Sequence, residues 1–429
     1  MSTGRRFRRR ELFGGVAGGV FGLGGAWSAQ AMAQPPGQAT RAGRSRRPTA
    51  AALDRAAAQP VLRLEGISHP VIIDSIRLLK QGREVFVHVR SKDGAEGISV
   101  INPPRADHFD KVFKQLVAPV FLGKDARDLE NLLWELYRWK SNYKLYGLAL
   151  WCPQAWLEFA ILDMLGRIAD KPLWALLGER VREDVAFYVA SGKRDTSPEQ
   201  EVENLQGLLQ RSGAKAVKFR VGGRMNRNQD ASPGRSEKLI RLARKTLGDG
   251  IDLHADANSS YDAAHAIPIG RVLEEVGAVY FEEPCEFDDL EGTKVVADRL
   301  KLPVAGGEQE YSHWRFRWMI QNRGVDIVQP DLYYYGGMIR SMRVARMAQL
   351  ANIPTTTHLS SGFGFIYMLH FAQVVPDIGA YQEYKVGTEP YDAWLTAPVK
   401  VENGKMRLPP GPGVGIADIR AVLKGAAEV

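Results

Sequence analysis

Cysteine is scarce in this sequence: only Cys152 and Cys285 occur among 429 residues. The two lie far apart in the chain, so a disulfide framework is not expected even in an oxidising compartment. We interpret both as buried thiols. The content of 45% hydrophobic and 25% charged residues is ordinary for a globular protein. The length allows two or three domains, although an α/β barrel of this size range counts as one.

Net charge is absent from most of the chain. Residues 1–60 hold ten arginines against Glu11 and Asp54, which accounts for the whole formal charge of +8. The remaining residues carry 47 basic and 47 acidic side chains. A body with balanced charge has no electrostatic footprint for nucleic acid, so no nucleic-acid partner is expected.

The basic N-terminus has the features of an export signal. RRELF at residues 9–13 resembles a twin-arginine motif, a weakly apolar Gly/Ala stretch follows, and AMA at 31–33 fits a cleavage site. We predict a signal peptide over 1–33 that directs the protein to the periplasm and leaves no stable membrane insertion after cleavage. An uncleaved anchor or a disordered basic arm is the alternative. Residues 34–60, rich in Ala, Arg and Pro, predict a flexible linker.

The pattern of apolar residues changes along the rest of the chain. Residues 71–100 alternate like the strands of a meander, and residues 107–170 show helical spacing. From residue 184, short apolar runs alternate with helix-sized amphipathic segments. Eight runs fit strands: DVAFYVAS (184–191), AVKFRVGG (216–223), IDLHADAN (251–258), AVYFEEP (278–284), LPVAGGE (302–308), VDIVQPD (325–331), IPTTTHL (353–359) and GAYQEYK (379–385). Strand alternating with helix requires parallel pairing, and eight units predict a closed (β/α)8 barrel.

Polar residues are concentrated where these strands end, which is where barrel active sites are built. Those at the strand ends are Lys218, Arg220, Asp256, Glu282, Glu308, Asp331, His358 and Glu383. A single charged strand end has a structural explanation as a surface ion pair. Charged ends on seven consecutive strands favour a functional site.

Three of these residues are acids on neighbouring strands. Asp256, Glu282 and Glu308 follow one another at intervals of 26 residues, and adjacent strand ends lie about 5 Å apart. Converging carboxylates repel unless a cation balances them, and ligation by oxygen alone favours Mg²⁺ over Zn²⁺. We therefore predict one Mg²⁺ held by this trio, with Glu283 in a supporting position. Surface carboxylates in ion pairs are the alternative.

The remaining polar ends predict proton transfer. Asp331 and His358 end adjacent strands, and a carboxylate beside an imidazole fixes its tautomer and raises its pKa. Lys218 and Arg220 are two residues apart and therefore share a face. Arg220 is a permanent cation, which is expected to lower the pKa of Lys218 towards neutrality.

Two further residues have open assignments. Glu383 could be protonated and donate a hydrogen bond to a substrate carboxylate, or form an ion pair with Lys385 or Arg220. We interpret His254, two residues before Asp256, as part of the barrel interior.

The sequence resembles the enolase superfamily and, within it, the mandelate racemase group of the mandelate racemase/muconate lactonizing enzymes. The resemblance covers about residues 70–410 and rests on several stretches. These are QAWLEFAILDMLGRIADKPLWALLG, DAN, EEP, GGE, QPDLYYYGG and PTTTHLSSGFG. It implies an α+β capping domain at 61–183, a barrel at 184–390 and a C-terminal segment, 391–429, that packs on the cap.

The resemblance also implies a chemistry. Asp256, Glu282 and Glu308 match the ligands of one Mg²⁺ that binds a substrate carboxylate, Asp331 and His358 match a catalytic dyad, and Glu383 matches an electrophilic acid. Removal of the α-proton would give an enediolate. We expect a lyase, an acid-sugar dehydratase that gives a 2-keto-3-deoxy product from a small carboxylate substrate, in a homo-oligomer.

Other functions stay open at this point. A racemase or epimerase of a 2-hydroxy or amino acid, or a cycloisomerase, would use the same enolate chemistry. A non-catalytic exported sugar-acid binding protein is a third reading. Arg220 stands where many members have lysine and fits an electrostatic clamp better than a base. The turn at 80–84 is short, so closure over the substrate is expected from residues 100–109 or 138–147.

Overall fold

The computed structural model describes residues 47–358, 362–385 and 388–429. The predicted signal peptide and the first part of the predicted linker lie outside these residues. Residues 50–57, predicted as part of the flexible linker, instead form helix α1 (Ala50–Ala57). Thr49 caps its first turn, and Leu53 and Ala57, four residues apart, are buried on one face. Apolar packing therefore orders a segment whose composition alone predicts flexibility.

An antiparallel meander forms the first sheet. Its strands are β1 (Ile73–Gln81), β2 (Glu84–Ser91) and β3 (Glu96–Ile101), in the order β1-β2-β3. Gly82 has a φ of 58°, a conformation that glycine adopts without strain, and so permits the tight turn between β1 and β2. The helices of this region are α2 (Pro103–Val112), α3 (Ala118–Phe121), α4 (Leu129–Arg138) and α5 (Leu148–Ile168).

Helix α5 is the core of the capping region. Its 21 residues are long and apolar enough to cross a membrane, the one such helix in the described residues, but it is almost wholly buried. Gly97 of β3 allows its close approach, because a Cβ there would clash with the backbone of Ala160. Ser99 donates a hydrogen bond to the carbonyl of Trp156 over 2.6 Å. The helix therefore joins the meander to the barrel as an internal element.

The predicted barrel is confirmed. Parallel strands pair in chain order, and the last pairs with the first. They are β4 (Asp184–Ala190), β5 (Ala216–Arg220), β6 (Asp252–Asp256), β7 (Tyr280–Glu282), β8 (Val304–Gly306), β9 (Ile327–Val328) and β10 (Gln382–Tyr384).

The seventh barrel position is less regular than predicted. Residues 353–359 were expected to form a strand, but in the described part, 353–358, there are only isolated parallel pairs. Thr355 pairs with Val328 of β9, and His358 pairs with Asp331, three residues beyond β9. On the side of β10, a side-chain hydrogen bond takes the place of backbone pairing between strands. Oε1 of Gln382 accepts the backbone N–H of Thr357 at 3.0 Å. The position is filled, and His358 still comes to the barrel mouth.

Helices follow the strands around the outside of the barrel. They are α6 (Pro198–Ser212), α7 (Arg235–Leu247), α8 (Ala263–Glu275), α9 (Leu290–Arg299), α10 (His313–Asn322), α11 (Met338–Leu350) and α12 (Gly364–Val374). Local sequence sets their ends. Ser197 and Gln200 form a capping box at the start of α6, and Gly213 ends it in the left-handed conformation.

The C-terminal segment contacts both regions. Its elements are β11 (Lys400–Glu402), β12 (Lys405–Arg407), α13 (Ile419–Val422) and β13 (Ala427–Glu428). Strand β12 pairs antiparallel with β4 of the barrel, and β13 pairs antiparallel with β1 of the meander. The end of the chain therefore fastens the cap to the barrel.

Candidate active site

The three predicted acidic ligands converge at the barrel mouth. Asp256 and Glu282 are the last residues of β6 and β7 and pair directly, and Glu308 follows β8 by two residues. One carboxylate oxygen from each lies within 4.8 Å of the others. All three are buried, with Asp256 and Glu282 fully inaccessible. The geometry is that of a site for a cation.

The donor set fits a hard divalent metal ion. All three donors are carboxylate oxygens, the ligands that Mg²⁺ prefers. Oε2 of Glu308 is buried and accepts no hydrogen bond within the described residues. Asn258 orients Asp256, donating to it from its backbone N–H at 2.7 Å and from Nδ2 at 3.2 Å. The trio is thus pre-organised, and its members have lone pairs available.

Lys218 is paired with acids, contrary to the expected neutral amine. Its Nζ lies 2.8 Å from Oε1 of Glu282 and 3.2 Å from Oε1 of Glu383. Burial disfavours the ammonium, but the attraction of the two carboxylates outweighs burial and the repulsion from Arg220, so the pKa of Lys218 is raised. The expectation of a lowered pKa is wrong in this geometry, because it considered Arg220 and omitted the acids.

Arg220 pairs with Asp256 through Nη1 and Oδ2. It shares the mouth-facing side of β5 with Lys218, as their two-residue spacing requires. The guanidinium therefore adds a fixed positive charge next to the acidic trio, and its role as an electrostatic clamp stays a prediction.

The dyad lies on the opposite side of the mouth. Oδ1 of Asp331 accepts the backbone N–H groups of Tyr333 and Tyr334 at 2.7 and 2.8 Å, and Oδ2 lies 2.7 Å from Nδ1 of His358. Because the carboxylate only accepts, Nδ1 carries the proton, and Nε2 faces the site, 3.4 Å from Oε2 of Glu308. Burial lowers the pKa of His358, but Glu308 and Asp331 outweigh it and raise the pKa overall.

The surroundings of Glu383 favour its carboxylate form, although a protonated acid was one expectation. Its carboxylate is fully buried and lies 3.5 Å from Nζ of Lys385 as well as next to Lys218. Burial raises the pKa of Glu383, but the positive charges of Lys218, Lys385 and then His358 lower it by more than burial raises it. Ion pairing, the alternative stated for this residue, describes the geometry.

Glu283 supports the trio from beside it. It has a φ of 40°, unusual for a residue with a side chain, and its carboxyl group is buried against Asn258. Burial, followed by repulsion from Glu308 and Glu282, raises the pKa of Glu283 well above its usual range. The surroundings of Glu282 thus lower its pKa, whereas those of Glu283 raise it.

His254 lies in the barrel interior, as predicted. It is buried, and its ring stacks on Tyr280 with the centroids 4.2 Å apart. Burial, then the charge of Lys218, lowers the pKa of His254 to about 3. The imidazole is therefore neutral below the acidic trio.

Two arginines at the mouth were missed by sequence reasoning. Arg105 of α2 extends from the cap, and its guanidinium lies 5.4 Å from the ring centroid of Tyr334, next to His358. It belongs to one of the two segments from which closure was expected, although that expectation named no residue. Arg194 follows β4 and donates to Asn258. No periodic pattern marks Arg194, which lies in a loop, and the helical spacing of α2 does not single out Arg105.

The family follows from comparison with known proteins. Residues 200–419 match the profile of the enolase C-terminal domain-like family. Residues 61–178 match that of the mandelate racemase/muconate lactonizing enzyme N-terminal domain. The chain belongs to the enolase superfamily. The acidic trio and the dyad described above thus stand in a superfamily whose members use Mg²⁺.

Characterised relatives of this superfamily member act on sugar acids. An arabinonate dehydratase from Saccharolobus solfataricus is 25% identical over 72% of this chain and 81% of its own length. A D-galactarolactone cycloisomerase from Agrobacterium fabrum is 27% identical over 79% of this chain and 90% of its own. These relatives identify the chain as a superfamily enzyme, of the dehydratase or isomerase type.

Solved structures agree with the fold. A candidate racemase from Roseobacter denitrificans is 34% identical, covers 83% of this chain and all of its own, and superposes with a TM-score of 0.76. A mandelate racemase/muconate lactonizing protein from Paracoccus denitrificans, solved in complex with magnesium, is 25% identical over 84% of this chain and 99% of its own, with a TM-score of 0.76. The likeness extends over the cap and the barrel alike.

Proposed function

We propose that this protein is a Mg²⁺-dependent dehydratase of an acid sugar. The observation that carries the proposal is the placement of His358. Its Nε2 faces the carboxylate trio across the mouth, 3.4 Å from Glu308, while Asp331 holds Nδ1. A substrate carboxylate held at the trio through a metal ion would place its α-carbon beside Nε2 of His358. The dehydratases among the relatives support this choice.

The acidic trio would hold Mg²⁺, which when bound supplies positive charge that makes the α-proton of a carboxylate substrate more acidic. His358 is placed to accept that proton at Nε2, because Asp331 keeps Nδ1 protonated. The same imidazolium can then donate the proton to the leaving C3 hydroxyl group, giving water and an enol that becomes the 2-keto-3-deoxy product. Lys218, held by Glu282 and Glu383, would balance charge beside the substrate carboxylate.

A screen of the mature protein with Mg²⁺ against a library of acid sugars tests this proposal. We expect at least one substrate to give a 2-keto-3-deoxy acid. If a ligand binds but neither loses water nor exchanges its α-proton with solvent, the chain is a binding protein and the proposal fails.

Cycloisomerisation or racemisation is the second candidate, and one observation favours it. The Agrobacterium relative is a cycloisomerase. A two-base racemisation would also need Lys218 as a neutral amine, whereas Glu282 and Glu383 raise the pKa of Lys218. Incubation in D₂O distinguishes the reactions, since incorporation of deuterium at the α-carbon without loss of water supports an isomerase.

We also propose that the protein is exported through the twin-arginine route and acts in the periplasm as a homo-oligomer. The arginine pair and the AMA sequence support export. Replacing both Arg9 and Arg10 by lysine should retain the protein in the cytoplasm, and N-terminal sequencing of exported protein should begin near Gln34. Exported protein that retains residues 1–33 would contradict the cleavage site.

A further inference from the structure

Arg194 is a charged side chain at the barrel mouth that the proposed reaction does not use. It lies in the loop between β4 and α6 and reaches across the ends of the next two strands. Its Nε donates to the carbonyl of Gly222 at 3.1 Å, and Nη2 donates to Oδ1 of Asn258 at 2.8 Å. Both acceptors are neutral, and across residues 47–358, 362–385 and 388–429 no carboxylate forms an ion pair with Arg194.

Other guanidinium groups surround Arg194. Arg235 is buried and donates to three backbone carbonyls, which fixes the loop that carries Arg194. Arg220 lies on the next strand, and Arg224 is exposed on the loop after it. Burial, followed by repulsion from these three arginines, lowers the pKa of Arg194 to about 10. A cation in such surroundings is stabilised by an anion.

The neighbouring acids of the chain do not supply that anion. Asp230 already accepts two hydrogen bonds from Ser236, each of 2.7 Å. Asp195, next to Arg194 in sequence, is exposed, and it forms no ion pair with Arg194 in the described part of the chain. Neither of these acids balances the charge of Arg194, and an anionic group of a bound molecule would do so.

The position of Arg194 relates that molecule to the acidic trio. Asn258, which accepts from Arg194, also donates to Asp256, so the guanidinium lies one side chain beyond a predicted metal ligand. It is on the side of strands β4 to β6, across the mouth from His358. The hydrogen bonds of Nε and Nη2 leave Nη1 unused among the described residues, and the edge formed by Nη1 and Nη2 suits two oxygens of one anionic group.

We infer that Arg194 binds a second anionic group at the far end of the substrate, the terminal carboxylate of a sugar diacid. The inference rests on the proposed function, because the first carboxylate is assigned to the trio. It identifies the substrate class as aldarates, which carry a carboxylate at both ends, in preference to aldonates, which end in a hydroxymethyl group.

Matched pairs of acids test the inference. Galactarate and galactonate differ only at C6, as do glucarate and gluconate, and 6-phosphogluconate adds a phosphate at the same carbon. The full mature chain with Mg²⁺ should prefer the aldarate of a pair by at least about tenfold in kcat/KM. Arg194→Gln should lower kcat/KM for the aldarate about ten- to a hundredfold, the range for a charge-assisted hydrogen bond, and leave the aldonate within about threefold.

Three further measurements keep the result interpretable. Arg194→Lys should restore part of the aldarate preference, and Lys193→Met, an adjacent exposed cation, should leave it unchanged. The affinity for Mg²⁺ should stay within about twofold in Arg194→Gln. An equal fall in activity towards both acids together with weaker Mg²⁺ binding would show that Arg194 only positions Asn258, which overturns the inference.

The two proposals fail in different ways. Turnover of aldonates as good as that of aldarates, or an aldarate preference that survives Arg194→Gln, overturns the diacid inference and leaves a dehydratase. A preference for 6-phosphogluconate over glucarate overturns the carboxylate assignment. If calorimetry and turnover detect none of the five acids, the diacid inference is overturned. The proposed function is overturned only if the wider acid-sugar library also gives neither loss of water nor exchange of the α-proton.

Discussion

Two fully buried glutamates in different regions of the molecule have pKa values shifted in opposite directions. Glu282 at the barrel mouth has a lowered pKa, because Lys218 and Arg220 offset burial and the repulsion from Glu383. Glu158 in α5 lies where the cap meets the barrel. Burial raises its pKa to about 8, although it accepts a hydrogen bond from the backbone N–H of Ile339 at 3.0 Å.

The difference between the two glutamates indicates that the barrel mouth is a binding site. At the interface between cap and barrel a proton neutralises the buried carboxylate, and no ion is needed. At the mouth several charges are kept ionised side by side, which costs free energy unless they act on something that binds there. Substitutions at each place should therefore affect different properties: ion binding and catalysis at the mouth, and stability at the interface.

The largest effect is expected at Glu282. Glu282→Gln removes one of three anions, so it should abolish measurable turnover and weaken Mg²⁺ binding by about a hundredfold or more. Glu283→Gln, the matched neighbour, should weaken binding by less than about tenfold. Equal Mg²⁺ affinities of the two variants in calorimetry would mean that the assignment within the pair is wrong.

Next in size is the dyad. His358→Asn should lower kcat by at least about 10³-fold, in line with an acid/base role, while Mg²⁺ and substrate still bind. His265→Asn, at an exposed histidine on α8, is the control and should have no effect. Turnover by the His358 variant within tenfold of wild type would exclude the dyad mechanism.

A smaller loss of activity is expected on substitution of Lys218. The same variant shows whether the ammonium balances charge at the site or affects metal binding. Lys218→Met should lower kcat/KM by about ten- to a hundredfold, since it leaves Glu282 and Glu383 without their ammonium. Mg²⁺ binding should become tighter, because a competing cation is removed. Lys215→Met, an exposed lysine before β5, is the matched control. Weaker Mg²⁺ binding in the Lys218 variant would contradict the role given to its charge.

The smallest effect concerns stability at the interface. The pKa of Glu158 is about 8 in the folded state against 4.5 as its ordinary value. The native state therefore binds a proton that the unfolded state releases, and stability falls as pH rises from 4.5 to 8. Glu158→Gln should remove that slope and raise Tm at pH 8.5 by a few degrees. Exposed Glu203→Gln should not, and thermal melts across this pH range would show whether the slope belongs to Glu158.

Much of the fold and the site follows from short-range patterns. A strand end is local: apolar alternation marks the strand, and the first charged residue after it lies at the mouth. For that reason the sequence alone predicts Asp256, Glu282 and Glu308 as one site. The short turn between β1 and β2 was equally visible.

Long-range contacts account for what was missed. The sign of the pKa shift at Lys218 depends on Glu282 and Glu383, 64 and 165 residues away. Arg220, two residues away, is the one charged neighbour that the local sequence shows. Helix α1 is ordered by burial against the barrel, which its alanine-rich composition does not reveal. Arg194 lies in a loop without periodicity, and Arg105 lies on α2, whose helical spacing does not single it out.

By itself, the sequence determined the barrel, the acidic trio and the Asp331–His358 dyad, because strand periodicity and parallel pairing bring those residues to one end of the sheet. The tertiary structure decided which charges neutralise one another there. Electrostatic energies depend on separation and burial, and both are properties of the packed chain. Only the fold shows that Lys218 is held between two acids, that Glu283 differs from Glu282, and that Arg194 has no acidic partner among the described residues.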